Sequence, residues 1–159
     1  MAEQEQQSVI KVRETLRLLG ARGEVRRLDD SARTAKEAAD ALGIEVGQIA
    51  SSLIFLADGE PVLVIASGGH RVDTENLASI LQVHEITKAT ADDVRRATGF
   101  AIGGVAPVGH PEPLTTIVDI ALSRYIEVWA AGGHPHYVFP TSYDELLRIT
   151  AGTAAEIGA

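Results

Sequence analysis

Two glycine-rich segments and a serine pair hold the residues best able to do chemistry. The first segment is Ile102-Gly103-Gly104-Val105-Ala106-Pro107-Val108-Gly109. Glycine lets the main chain approach a ligand closely and present its amides to it, and Pro107 fixes the direction of the loop. Fixed amide donors can stabilise an oxyanion, or hold a carbonyl or hydroxyl, without reorganising during a reaction. The same residues would equally allow a tight crossing between strands with no ligand involved.

The second segment, Ala130-Ala131-Gly132-Gly133-His134-Pro135-His136, sets a glycine pair at the end of an expected strand with two histidines behind it. His134 could bind a ligand or relay a proton. His134 and His136, two apart, share one face of an extended chain, which also suits a metal, but no third ligand is evident. His84 and His110 read as surface residues. His70, within Ser67-Gly68-Gly69-His70-Arg71-Val72-Asp73, reads as part of a turn or as the rim of a pocket. Ser51 and Ser52 open an apolar run. Either serine with His134 and Asp119 would supply the residue types of a serine hydrolase, yet neither a nucleophile elbow nor an ordered triad signature surrounds them.

The elements that must position these groups follow from local signals. Val9, Val12, Leu16 and Leu19 form one helical stripe, which Gly20 can close. Glu24 to Leu28 is short and extended. Thr34-Ala35-Lys36-Glu37 reads as a capping box opening a helix that ends at Leu42-Gly43. Ile49 to Ala57 and Pro61 to Ala66 flank Asp58-Gly59, the signature of a type I′ hairpin. Asp73 and Thr90 can each cap a helix, with a strand over Val83 to Lys88 between them. Phe100 to Gly109 holds three glycines and a proline among small apolar residues, which predicts a buried, shaped loop. Leu114 to Ile120, Tyr125 to Ala130 and His136 to Phe139 read as strands, Ser142 to Glu145 as a second capping box, and residues 152–159 as a frayed tail. Interspersed strands and short helices without regular βαβ alternation indicate a mixed-sheet α+β domain.

Composition bounds the function classes. A chain of 159 residues fits one domain. It has no cysteine, which removes disulfides, zinc–thiolate sites and thiol nucleophiles. The start, MAEQEQQS, lacks the basic and apolar regions of a signal peptide, and the apolar runs are far shorter than the roughly 20 residues of a membrane span. Cytoplasmic residence is expected, with no membrane partner. A net charge of -8 repels phosphate backbones at long range and argues against DNA binding. Arg13, Arg17, Arg22, Arg26, Arg27 and Arg33 cluster early in the chain, a pattern that a solvated helix face plus an exposed strand edge would explain.

The order of segments carries more than any one of them. Thr34-Ala-x-x-Ala-Ala-x-x-Leu-Gly43, Gln48-Ile49-Ala50-Ser51-Ser52-Leu53-Ile54-Phe55, Gly69-His70-Arg71-Val72-Asp73, Thr98-Gly99, Gly103 to Gly109 and Ala131-Gly132-Gly133 together resemble the YbaK/EbsC and prolyl-tRNA-synthetase editing family. The likeness runs from about residue 30 to residue 149, with residues 1–29 adding a helix and a strand. It implies one domain with a mixed, strongly curved sheet flanked by helices. It also implies hydrolysis of the ester joining a wrong amino acid to tRNA, usually tRNA for proline, by a freestanding protein or beside prolyl-tRNA synthetase, with no metal or organic cofactor. The family's Gly-x-x-x-Pro loop maps to Gly103, Gly104, Val105 and Pro107 as the catalytic apparatus. Thr34, Ser51, Ser52, His70, Gly132, Gly133 and His134 map to substrate binding.

One position departs from the family. The best-known deacylases carry a lysine where this chain has Ser51. Without that ammonium the site lacks a charge-assisted hydrogen bond to a phosphate or carbonyl oxygen, an interaction of about 1.5–3 kcal/mol. An altered specificity is expected, and a non-catalytic module binding an aminoacyl-tRNA end, an aminoacyl-like molecule or a synthetase is the alternative.

Overall fold

A computed structural model describes residues 2–158; Met1 and Ala159, the ends of the expected domain, lie outside the described residues. The elements in order are α1 (Ala2–Leu18), β1 (Arg26–Arg27), α2 (Ala35–Leu42), β2 (Ile49–Ala57), β3 (Glu60–Ser67), α3 (Thr74–Leu81), β4 (Ile86–Lys88), α4 (Ala91–Thr98), β5 (Thr115–Asp119), β6 (Val128–Ala131), β7 (Tyr137–Thr141), α5 (Tyr143–Thr150) and β8 (Thr153–Ala155). Short 3₁₀ turns at Val46–Gln48 and Ile120–Arg124 complete them. The sheet runs β1-β7-β6-β2-β3-β5-β8, with β4 paired to β2 beside this path. It is mixed. β2 pairs antiparallel with β3 and β4 but parallel with β6, and β3, β5 and β8 run parallel. The expected α+β class with a mixed sheet is the class found.

β3 explains why the sheet has two faces to cover. Leu63 and Ile65 point into a core with α1, α5 and the buried loop, whereas Val64 and Ala66 point into a second core with Leu77 of α3 and Ile157. Alternate side chains of a strand face opposite ways, so a continuous apolar run requires packing on both sides. α2 covers the rest of that second face, setting Ala38 and Ala39 against Ile49, Trp129 and Val138. Its alanines let the helix lie close to the sheet.

The hairpin turn is as the sequence predicts, with Asp58 at φ 48° and Gly59 at φ 87°. The Asp58 carboxylate accepts the amides of His84 and Glu85, and these bonds hold its pKa below the usual carboxylate range. The same bonds tie the start of β4 to the hairpin tip.

Several boundaries differ from expectation. The strand expected from Val83 begins only at Ile86. The strand expected from Tyr125 begins at Val128, because the 3₁₀ turn carries Leu122 into the core first. Thr34 and Ser142 cap α2 and α5, but neither capping box closes. The Glu37 carboxylate accepts the Thr34 hydroxyl, and Glu145 accepts from Thr141 and the Arg22 amide. Residues 153–155 are no frayed tail. They form β8 on β5, Val72 bridges to Gly158, and Ile157 is fully buried.

Candidate functional site

β2 changes partners along one edge. Ile49 and Ala50 pair with Trp129 and Ala130 of β6, while Phe55 to Ala57 pair with β4. Between them Ser51 to Ile54 have no strand partner on that side. The next residues in register, Ala131 at the end of β6 and Ala89 just past β4, line a cavity instead. A strand that fans away from two neighbours leaves a gap, and here the gap is a hole of about 480 Å³, within the usual range for small-ligand pockets.

The wall of the cavity comes from both faces of the sheet. Ala35 and Ala38 of α2, with Ile49 and Trp129, form one side, and Ala50, Ile54, Val94 and Val105 form the other. Hydroxyls are supplied by Thr34, Ser51 and Ser52. Thr34 is already engaged as a helix cap, accepting the Glu37 amide and donating to Glu37 Oε1, both at 3.1 Å. Ser52 differs. Its Oγ is buried with no hydrogen-bond partner among the described residues. An unsatisfied buried hydroxyl costs about 1–3 kcal/mol, so a native fold that retains one calls for an explanation. A ligand group is the simplest.

The glycine loop closes the cavity over this edge. The Gly104 amide donates to Ala101 O at 3.0 Å, making a turn in which Gly103, at φ 89°, holds the third position that glycine fills in type II turns. Gly104 N–H is therefore engaged within the loop. The amides of Gly103 and Val105, both on the lining, make no hydrogen bond to another described residue. The available donors thus flank Gly104 rather than include it. Gly104 is held to glycine by packing: a Cβ there would stand 2.8 Å from His134 Cα. Ala106, Pro107 and Val108 are buried behind the lining, and His110 Nε2 meets Ala106 O at 2.8 Å. His110 is not the surface residue expected, and burial pushes its pKa down.

Of the second glycine segment, Ala130 and Ala131 line the cavity, while Gly132, Gly133 and His134 lie off its lining. Gly133, at φ 102°, is pressed against the main chain of Ser8 and the side chain of Val12, which leaves no room for a Cβ. Gly132 is likewise filled around by Val25 and Tyr137. His134 stacks on His136 with ring centroids 5.6 Å apart, and the His136 amide donates to His134 Nδ1 at 3.1 Å. Of Gly132, Gly133 and His134, expected at the substrate, His134 is thus the main chain on which Gly104 rests, while the two glycines pack against Val25, Tyr137, Ser8 and Val12.

His70 is elsewhere. It lines a smaller cavity of about 270 Å³ with Ser67, Gly69, Arg124 and Tyr125, and its Nε2 lies 2.5 Å from Asp119 Oδ2. Asp119 also accepts the amides of Ser67 and Ala121 at 2.9 Å, and the His70 ring packs against Gly158. The expected rim position for His70, and any pairing of Asp119 with His134, are replaced by this dyad. It joins the turn after β3 to the end of β5 and to the C-terminal segment. Among the described residues, no group of three or more His, Asp or Glu could hold a metal ion.

Sequence reasoning missed Arg33, Lys88 and Trp129 as site residues, all on the lining of the larger cavity. Arg33 is hidden in the early arginine cluster, and Lys88 in a strand with weak alternation. Trp129 is the chain's one tryptophan, a type that marks ligand surfaces and cores alike, so its identity alone does not choose.

Comparison with known proteins bears on this geometry. The chain resembles the proline–tRNA ligase of Limosilactobacillus fermentum, 35% identical over 115 residues, which cover 67% of this chain and 20% of the ligase. It thus spans about a fifth of the length of that relative. It is 25% identical over 125 residues to a candidate Cys-tRNA(Pro)/Cys-tRNA(Cys) deacylase, EbsC, of Enterococcus faecalis, with 78% and 76% of the two chains covered. Among solved structures it superimposes with a TM-score of 0.89 and 42% identity on a candidate trans-editing enzyme for prolyl tRNA synthetase, covering 96% of this chain and 97% of that one. No helix among the described residues is long and apolar enough to cross a membrane. Residues 29–149 match the family described as the aminoacyl-tRNA editing domain, and the chain belongs to that family.

Proposed function

We propose that the chain hydrolyses the ester between a small, mischarged amino acid and tRNA, with tRNA for proline as the carrier, in the cytoplasm and in trans to prolyl-tRNA synthetase. The observation that carries this reading is the 480 Å³ cavity at the open edge of β2, closed by a loop with unengaged amides at Gly103 and Val105. Water adds to the ester carbonyl, the bond to the ribose oxygen breaks, and free amino acid and an uncharged tRNA end leave. The ester is already activated, so orientation by fixed amides and a positioned water suffices without a side-chain nucleophile. The amides of Gly103 and Val105 hold the developing oxyanion. Ser51 and Ser52, with the carbonyls on the open edge of β2, take the α-ammonium, since no carboxylate among the described residues lines the cavity. The small residues Ala35, Ala38, Ala89 and Ala131 set its size, and size selection contributes about 1–3 kcal/mol per methylene.

Incubation with alanyl-, cysteinyl-, seryl- and 2-aminobutyryl-tRNA for proline tests the reading. Release of at least one amino acid faster than spontaneous hydrolysis is expected. No acceleration for any of them would sink it. One observation favours a second reading, binding without turnover: among the described residues, no imidazole or carboxylate lines the cavity as a general base. Tight binding of a misacylated tRNA that stays acylated would select that reading.

A further inference from the structure

We propose that Arg33 and Lys88 form a pair of cationic posts at the mouth of the larger cavity and bind the phosphates of the terminal nucleotides of the tRNA. The inference rests on the editing reading above and names the interaction that brings the tRNA end into register with the Gly103–Val105 amides.

Charge is the first argument. The chain has 22 acidic and 14 basic residues, yet among the described residues the charged ones lining this cavity are Arg33 and Lys88, with no carboxylate on the lining. Both are exposed, and neither is in an ion pair or side-chain hydrogen bond with another described residue. Some other surface cations do find partners, as with Lys36 and Asp40 at 2.8 Å and Arg148 on the carbonyls of Leu19 and Gly20, but none of these stands at the cavity. Two unpaired cations at one opening of an acidic protein create a local positive field that attracts and orients an anion.

Placement is the second argument. Arg33 stands just before the helix cap Thr34, and its Cα, Cβ and Cγ lie 3.2 Å from where a Cβ of Gly103 would be. The stem of the arginine is thereby laid along the loop that carries the proposed amide donors. Lys88 is fixed from the other side. It pairs in register with Phe55, and β4 is held at its start by the Asp58 carboxylate. The two cations therefore rise from opposite walls of the gap along which Ser51 to Ile54 have no partner on the β4–β6 side. Ser51 carries no charge on β2 itself, so a polyanionic substrate finds its counter-charges on the flanking elements. Ile102, 58% exposed, and Leu53, 38% exposed, add apolar surface beside them, on which a nucleobase can rest.

The test separates phosphate binding from chemistry. Arg33→Gln, Lys88→Gln and the double variant are compared with the wild type on alanyl-tRNA, on 2′(3′)-O-alanyl-adenosine, which has no phosphate, and in binding a CCA trinucleotide that ends in amide-linked alanine. The expected result is a rise in KM for alanyl-tRNA of about tenfold per cation with kcat little changed. The salt dependence of trinucleotide binding becomes shallower by about 0.7 in log–log slope for each phosphate no longer neutralised. Hydrolysis of alanyl-adenosine is unchanged, and Lys88→Arg restores most of the affinity. Equal losses on the phosphate-free ester, or no change on either substrate, would overturn the proposal. So would failure of the wild type to bind the trinucleotide at low salt. Salt-sensitive binding that depends on Arg33 and Lys88, without hydrolysis of any ester, would uphold the phosphate site while sinking the deacylase reading.

Discussion

The cavity at the open edge of β2 and the smaller one beside His70 invert what residue type alone would lead one to expect. The smaller has residue types usually associated with catalysis: a histidine and a serine line it, and both bond the buried Asp119, the histidine through its ring and the serine through its main-chain amide. Every one of them is engaged. Asp119, 1% exposed, accepts from His70, Ser67 and Ala121, and the Ser67 hydroxyl donates to Gly47 O at 2.7 Å. The larger cavity holds almost no titratable chemistry, but it retains an unpaired hydroxyl, two unengaged amides, an open strand edge and two unpaired cations. A satisfied network fastens a fold, whereas unsatisfied groups gathered around a hole are what a ligand completes. The histidine–aspartate pair is thus the staple, and the bland cavity is the site.

The largest effect expected from breaking this contrast is on stability. Asp119→Ala strands the three donors that converge on the carboxylate and should cost about 3–5 kcal/mol in denaturant unfolding. His70→Gln should cost about 1–3 kcal/mol and leave kcat for deacylation unchanged. A loss of activity in His70→Gln without a loss of stability would reverse the roles of the two cavities. Ser52→Ala sharpens the contrast with the opposite sign. Removal of a buried hydroxyl that has no partner should leave the ligand-free protein as stable as before or up to about 1 kcal/mol more stable. The same change should raise KM for the misacylated tRNA, and a clear drop in stability would show that Ser52 is bound within the fold after all. The smallest effect concerns the loop itself. Burial holds the His110 pKa below its ordinary value, so the unfolded chain binds the proton more readily. The contribution of His110 is present above about pH 6.5 and is lost as pH falls from there through the folded value. Melting temperatures at about pH 7.5 and about pH 5.5 should therefore differ less in His110→Gln than in the wild type, and an equal difference would show that the histidine is not held neutral by the fold.

The elements that the sequence announces are those whose signals are local. Thr34 caps α2, Asp58-Gly59 turns the hairpin, and Phe100 to Gly109 makes an irregular buried loop, each through residues adjacent in the chain. β8 is silent in the sequence because Thr153-Ala154-Ala155 has neither alternation nor strong strand propensity; its order comes from β5 and from burial of Ile157. The candidate site divides in the same way. Gly103, Val105, Thr34, Ser51 and Ser52 do meet around one cavity. The departure of β4 and β6 from β2, which makes that cavity, depends on pairing between distant segments. No composition rule separates Arg33 from its neighbouring arginines or brings Lys88 opposite Phe55. For His70 the local signal is a turn, and the turn is there; the partner that decides its role, Asp119, lies 49 residues further on.

The open stretch of β2 has a consequence for how the protein keeps to itself. Unpaired strand edges are templates on which another chain can add a strand, the usual beginning of self-association. Four residues span roughly 13 Å, too short for a stable intermolecular ladder. β6 and β4 stand guard at either end, and the glycine loop overhangs the middle. The recess therefore admits a short extended ligand, such as an aminoacyl group, and turns away a polypeptide.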